Sequence, residues 1–418
     1  MQQATQLRRV CISGCGALSP IGHSVQAFWE SLLAGRSGLE PIRSFDTAGI
    51  MIARGGEIKN FRPDERLSSD EIGRLERIDQ FSLFAAREAL DDAQLDLKHV
   101  DLARLGVVVA TSLGGMLVGE AYQRHRLQPV EAFDPRRLFD FPYYATANNL
   151  ARALSARGPV VSPSIACASG THAIGLALDL IRSGRGDVFV VGGAETLCRF
   201  VVTGFNSLRA TTAETVRPFD TRRSGLLLGE GAAMLVIEEV EHARARGARV
   251  DVEVDGSGLA GDATHMTAPA RDGAGAARAM RAALADAGVT PNAVDFVSVH
   301  GTGTVYNDAM EMAAIASVFG AATGRVPLNS IKGAIGHTLA AAGAFEAIMC
   351  AQVLRTGLIP PTVNCEQPDA AHGLDVVLGA PRRHPVQRAL STSSAFAGNN
   401  AAIVLSLSKH VARGNRHE

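Results

Sequence analysis

Several stretches of the chain are apolar without any alternation with polar positions. Leu105-Gly106-Val107-Val108-Val109-Ala110, Asp187-Val188-Phe189-Val190-Val191-Gly192 and Val294-Asp295-Phe296-Val297-Ser298-Val299 are examples. A strand with one wet face alternates, so unbroken apolar runs of this length predict strands covered on both sides. Between them lie longer runs of helical character, including 173–181, 276–287 and 341–354. Strands and helices in alternation, with the strands buried on both faces, predict an α/β protein.

The pattern also repeats at long range. Gly175 to Gly184 ends Leu180-Ile181-Arg182-Ser183-Gly184, and Gly343 to Gly357 ends Val353-Leu354-Arg355-Thr356-Gly357. A second echo follows each at a similar distance: Gly229-Glu230-Gly231-Ala232-Ala233-Met234-Leu235-Val236-Ile237 and Gly398-Asn399-Asn400-Ala401-Ala402-Ile403-Val404-Leu405-Ser406. Self-similarity at so long a separation predicts two related halves rather than a solenoid of short units. The expected division is 1–255 and 256–418.

Bulk properties narrow the classes. The chain has 418 residues, 46% hydrophobic and 20% charged, with a formal net charge of −1. That balance argues against a nucleic-acid or membrane-surface partner. Six scattered cysteines form neither zinc-ligand pairs nor a disulfide framework, and Cys11 and Cys15 read as core residues. Met1 to Val10 lacks the apolar core of a secretory leader, and no run of about 18 apolar residues stands out as a membrane span. The expected compartment is the cytoplasm.

The candidate chemistry centres on Cys167. The tight segment Ser164-Ile165-Ala166-Cys167-Ala168-Ser169-Gly170-Thr171-His172 runs straight into the helical stretch 173–181, which puts the thiol at a helix start. Unpaired N–H groups and the helix dipole favour an anion there, so a thiol pKa below the usual value of about 8.5 is expected. Two histidines stand in small-residue segments of the second half, in Val299-His300-Gly301-Thr302-Gly303-Thr304 and in Lys332-Gly333-Ala334-Ile335-Gly336-His337-Thr338. Two such rings can donate to a carbonyl oxygen, and Lys332 nearby can set their charge.

These residues, with Arg217-Pro218-Phe219-Asp220, Gly229-Glu230-Gly231-Ala232 and Asp262-Ala263-Thr264-His265-Met266-Thr267, carry a resemblance over nearly the whole chain. It resembles the condensing enzymes of the thiolase superfamily, and among them the β-ketoacyl-acyl-carrier-protein synthase II type. The resemblance implies a duplicated α-β-α-β-α sandwich and a ping-pong elongation with acyl carrier protein as partner. By that resemblance Cys167 is the nucleophile, and the N–H groups of Cys167 and Phe396 form the oxyanion hole. His300 and His337 stabilise the enolate left by malonyl decarboxylation, with Lys332 as an electrostatic and orienting group. Phe396 is a gate faced by Phe205, and Leu113 and Ser394 border the acyl pocket. Thr302, Thr304 and Thr267 meet the pantetheine arm. Arg136 and Arg137, with Arg77 and Arg209 as weaker candidates, dock the carrier. Asp220, Asp308 and Glu346 are expected to be structural. No metal and no separate cofactor are implied. The assembly is a homodimer or a heterodimer with a related subunit.

The sequence departs from the type at the gate. Ser394-Ala395-Phe396-Ala397-Gly398 has alanines where the family has glycines, and serine where it has a phenylalanine. Val305 replaces a proline, and Tyr143-Tyr144 is unusually aromatic. These changes set a specialised synthase for polyene- or polyketide-like chains beside ordinary fatty-acid elongation, with unsaturated or rigid primers as the preference expected of the altered gate. Two other readings stand beside it. A coenzyme-A-dependent thiolase needs a second, late cysteine, but Cys365 has the wrong setting. A non-catalytic chain-length subunit ordinarily lacks the nucleophile, which this chain keeps.

Overall fold

The structure, a computed structural model, describes residues 7–128 and 132–408. One 11-stranded sheet runs through it. Its strands are β1 (Val10–Leu18), β2 (Leu105–Ala110), β3 (Val160–Val161), β4 (Val188–Glu195), β5 (Gly231–Glu239), β6 (Val252–Gly261), β7 (Phe296–Ser298), β8 (Pro327–Asn329), β9 (Asp375–Val376), β10 (Arg388–Ser394) and β11 (Asn399–Leu407). The non-alternating runs are strands covered on both faces: every residue of β2, β4 and β7 is buried.

The order across the sheet is β9-β8-β7-β10-β11-β6-β1-β5-β4-β2-β3. It holds the same five-strand arrangement twice. In the first half β2 pairs in parallel with β3 and β4, β4 runs antiparallel to β5, and β5 antiparallel to β1. In the second half β7, β8, β10, β11 and β6 repeat that scheme strand for strand. The halves join where β1 pairs antiparallel with β6, with Cys11 opposite Glu253. The expected division between residues 255 and 256 falls inside the continuous strand β6.

Helices fill the layers. α1 (Arg77–Asp92) lies on β1 and β5, and α2 (Tyr144–Ala153) on β2. α3 (Ser169–Arg182) and α6 (Ala342–Thr356) occupy the middle layer, in contact with strands of both halves. α4 (Ala274–Asp286) covers β6 and β11, and α5 (Val305–Phe319) packs on α4. The result is the expected five-layer α-β-α-β-α sandwich. The long-range echoes are now physical: the first pair is the two middle-layer helices, and the second pair is β5 and β11, the last strands of their halves. Residues 339–356 are long and apolar enough to cross a membrane by length and composition alone. That segment carries the central helix, and 83% of it is buried inside the protein.

Small residues bring the two middle helices together at their N-termini. A Cβ on Gly170 would lie 2.5 Å from the Ala340 carbonyl oxygen, and one on Gly343 would lie 2.1 Å from Thr171 Oγ1. Only glycine allows such an approach, and through it the segments leading into α3 and α6 meet.

Candidate active site

Cys167 stands just before α3, in a turn held by its neighbours. Ala166 takes φ +53°, a left-handed conformation that an L-residue adopts at a cost. Ser169 fixes it, with its Oγ donating to Ala166 O at 2.6 Å and accepting from Ile165 N at 2.7 Å. The sulfur is buried, with the backbone N–H groups of Cys167 and Phe396 turned toward it. The expectation of a lowered thiol pKa is overturned. Burial pushes the thiol up to about 12, against the pull of Lys332 and of those two N–H groups. The helix start supplies donors, but the loss of water outweighs them while the site is empty of charge.

His300 follows β7 directly, and His337 lies five residues before α6. Their ring centroids are 5.0 Å apart at 84°. The His337 backbone is tied to the strand-like segment beside it, its N–H donating to Leu227 O at 2.7 Å and its carbonyl accepting from Gly229 N at 3.0 Å. Its Nδ1 accepts from Leu339 N at 3.3 Å, so the ring proton sits on Nε2. His300 is held through its main chain: the N–H groups of His300 and Gly301 donate to the Glu311 carboxylate at 2.6 and 2.8 Å. Burial first, and Lys332 second, hold both imidazoles neutral, well below their ordinary pKa.

Lys332 is buried behind the histidines. Its Nζ donates to the His300 carbonyl and to Glu346 Oε1, both at 2.5 Å. Glu346, expected to be structural, is thus the counter-ion of Lys332. Asp308 and Asp220 do hold loops: Asp308 accepts from Phe219 N at 2.9 Å and from Gly303 N at 3.2 Å, and Asp220 accepts from the N–H groups of Arg222, Glu366 and Gln367. Glu311 was not singled out in the sequence. Its burial raises its carboxyl to about 7, and its only sequence signal is a position eleven residues after His300 on α5.

A cavity of about 300 Å³ joins these groups to the surface. Cys167, His300, His337, Thr302, Thr304, Thr267, Phe205, Phe396, Ser394 and Arg209 line it. Thr302 and Thr304 share a hydroxyl contact of 2.9 Å, and Thr304 caps α5 through Asn307 N. The rings of Phe205 and Phe396 stack at 5.6 Å and 19°. Ala397 sits at φ +62°, donating to Met266 O at 2.6 Å, so the substituted gate keeps a glycine-like backbone. Leu113 is not on the cavity wall, but it packs in the apolar cluster that includes Cys167, Phe205 and Ala395. Asp262 and Asn400, linked at 2.8 Å, also line the cavity and anchor the gate loop; sequence reading had placed Asp262 only in a motif.

The arginines divide. Arg136 and Arg137 are exposed, Arg136 paired with Asp134 at 2.7 Å and Arg137 with Glu76 at 2.7 Å. Arg209 is exposed at the cavity mouth. Arg77 turns inward instead, to buried Glu230 at 2.6 Å and over the Phe81 ring at 4.5 Å. That side chain, about a third exposed, holds α1 to the sheet.

A duplicated five-layer sandwich that brings a helix-start cysteine from one half against two histidines and a lysine from the other defines a condensing enzyme of the thiolase fold. Residues 7–243 match the family model for the beta-ketoacyl synthase N-terminal domain, and residues 252–366 that for the C-terminal domain. The chain belongs to the beta-ketoacyl synthase family. It is 38% identical over 412 residues to 3-oxoacyl-[acyl-carrier-protein] synthase 2 of Staphylococcus aureus (strain COL), covering 96% of this chain and 98% of that one. Among solved structures it is similar to the ishigamide ketosynthase/chain length factor, with a TM-score of 0.91 at 38% identity, over 96% of this chain and 100% of that chain. It is also similar to a type II PKS ketosynthase bound to its hexaketide in complex with the acyl-carrier protein, with a TM-score of 0.88 at 31% identity, over 97% and 100%.

Proposed function

We propose that this chain is a β-ketoacyl-acyl-carrier-protein synthase that elongates an acyl chain held on Cys167 with a malonyl unit. The observation that carries the reading is the convergence of Cys167, His300 and His337 on one cavity open to the surface. Both substrates arrive as thioesters on the phosphopantetheine arm of acyl carrier protein, so no separate cofactor takes part.

In the first half-reaction Cys167 Sγ attacks the acyl thioester carbonyl. The carbon–sulfur bond to the carrier breaks, and the thiol proton leaves with the carrier sulfur. The N–H groups that face the thiol, from Cys167 and Phe396, lie where the tetrahedral oxyanion develops. In the second half-reaction malonyl thioester loses CO₂, and the electron pair of the broken C–C bond becomes an enolate. The Nε2–H of His337 and the ring of His300 donate to its oxygen, and their neutrality keeps them donors that do not surrender the proton outright. The carbanion then attacks the acyl-cysteine carbonyl and expels Sγ. Lys332 anchors the His300 backbone and places positive charge behind the enolate.

The remaining roles follow the cavity. Thr302, Thr304 and Thr267 bind the pantetheine arm near the mouth. Phe396 closes the acyl pocket against Phe205. Leu113 and Ser394 shape the chain-binding end, and the buried hydroxyl of Ser394 favours unsaturated or rigid primers. Arg136, Arg137 and Arg209 dock an acidic carrier. The chain works as a dimer with a second copy or a related subunit. The exposed edge strand β3 and the neighbouring exposed Phe139, Phe141, Tyr143 and Tyr144 support such a contact. The reaction is placed in the cytoplasm.

Incubation with a radiolabelled acyl-carrier thioester and mass spectrometry of the Cys167 peptide test the reading. The acyl adduct is expected on wild type and absent from Cys167→Ala. An adduct on the variant at the wild-type rate refutes the assignment.

A further inference from the structure

Glu195, the last residue of β4, is fully buried and belongs to none of the roles above. Two segments meet at its carboxyl, and a third packs against the second. The first is the turn Thr111–Gly114, which carries Leu113: Ser112 N donates to Glu195 Oε1, while Thr111 Oγ1 accepts from Leu113 N at 3.3 Å and Gly114 N at 2.9 Å. The second is the segment after His337, because the Ala340 N–H faces the same carboxyl. The third is the start of α3. Ala340 is wedged between β4 and that helix, with no room for a Cβ on Gly193 (2.9 Å from Ala340 O) or on Gly170 (2.5 Å).

We propose that Glu195 is a positioning residue that fixes the Leu113 turn, which packs in the apolar cluster with Cys167 and Phe205, against the nucleophile helix and the His337 segment. The proposal rests on the functional reading above. Glu195 Oε2 and Ser112 Oγ are both buried without a hydrogen-bond partner. A carboxyl bonded to the Ser112 N–H and faced by the Ala340 N–H is oriented by both segments and orients them in return. Burial raises Glu195 to about 8, so the group is a neutral acid at neutral pH and its acceptor oxygen, not its charge, holds the turn. A primer long enough to reach Leu113 feels the position of the turn, and a short one does not.

The test follows Cys167 acylation by hexanoyl- and dodecanoyl-N-acetylcysteamine thioesters in wild type, Glu195→Gln, Glu195→Asp and Glu195→Ala. Gln keeps an acceptor oxygen for Ser112 N–H, and Asp withdraws it by one methylene. Asp and Ala are expected to raise KM for the dodecanoyl thioester about tenfold, with kcat and the hexanoyl KM changed less than about threefold, since a shift near 1 Å suffices for such losses. Gln is expected to restore the wild-type ratio. If Glu195→Ala does not fold, Glu195→Asp carries the test. Wild-type behaviour of Glu195→Asp at both lengths overturns the proposal, as does a Gln variant no better than Asp, or equal losses at both chain lengths. No adduct on wild-type Cys167 would sink the functional reading along with it, a result distinguishable from all of these.

Discussion

Replacing Glu346 by leucine leaves Lys332 buried with the His300 carbonyl as its remaining partner. Breaking a buried pair from one side costs about 3–5 kcal/mol, because the other charge stays uncompensated. For 418 residues an unfolding entropy of about 2.1 cal/mol/K per residue gives about 0.9 kcal/mol/K, so Glu346→Leu should lower Tm by about 3–6 °C. Adding Lys332→Met removes the stranded charge. The double variant should then recover about half of the loss, keeping a deficit of about 1–3 kcal/mol from the His300 carbonyl left without its donor. Activity should not recover. Without Lys332 the His300 loop loses its anchor and the enolate its nearby charge, so CO₂ release from malonyl-carrier protein should stay down by about 10²-fold. Calorimetry and release of labelled CO₂, measured on the same preparations, separate the two effects. A double variant that folds and decarboxylates at the wild-type rate would remove Lys332 from the chemistry.

The other expectations follow from the same geometry. Both imidazole pKa values are depressed, so the neutral rings persist below the ordinary value of about 6.5; CO₂ release should stay flat from pH 8 to about 6, and an inflection near 6.5 would contradict the neutral-donor role. Charge reversal at Arg136 and Arg137 should raise KM for carrier-bound primers and blunt its salt dependence, while KM for an N-acetylcysteamine thioester stays fixed; an unchanged carrier KM at low salt refutes the docking role. Ala397 at φ +62° bears about 1–2 kcal/mol of left-handed strain, against which glycine returns about 0.5–1 kcal/mol of unfolded-state entropy. Ala397→Gly should therefore be neutral or stabilising by up to about 1 kcal/mol in urea unfolding, and a clear destabilisation would mean that the gate backbone is not strained.

Much of this was legible in the chain because it is written locally. The non-alternating runs became buried strands, and the two pairs of echoes became equivalent helices and equivalent strands of two matching halves. The motifs around Cys167, His300 and His337 lead into one cavity because each is a short segment next to a strand end or a helix start. What the sequence did not show depends on distant contacts. Arg77 looks like a surface cation until Glu230, 153 positions away, claims it. Glu311 and Glu195 are single carboxylates whose roles come from which N–H groups the fold turns toward them. The thiol pKa was misjudged for the same reason. The helix start is local, but the burial that outweighs it comes from residues distant in the sequence, among them Ile42, Val201, Leu226 and Leu339.

That burial bears on how the site works. The N-terminal turns of α3 and α6 touch, so the positive ends of two helix dipoles point into one region. Such a region favours anions, yet its titratable groups rest uncharged: Cys167 is pushed to about 12 and both histidines are held neutral. Lys332 and Glu346 cancel each other as a pair. No net charge therefore stands waiting in a place that water has left, where it would be costly. The donors and dipoles are fixed in advance and act only when charge appears, first on the thioester oxygen and then on the enolate oxygen. Fixed dipoles that need no reorientation lower a barrier more than mobile ones. The duplication explains how a single chain gathers them, since the same middle-layer helix occurs twice and the segment leading into it reaches the same cavity from each half, through Cys167 in one and His337 in the other.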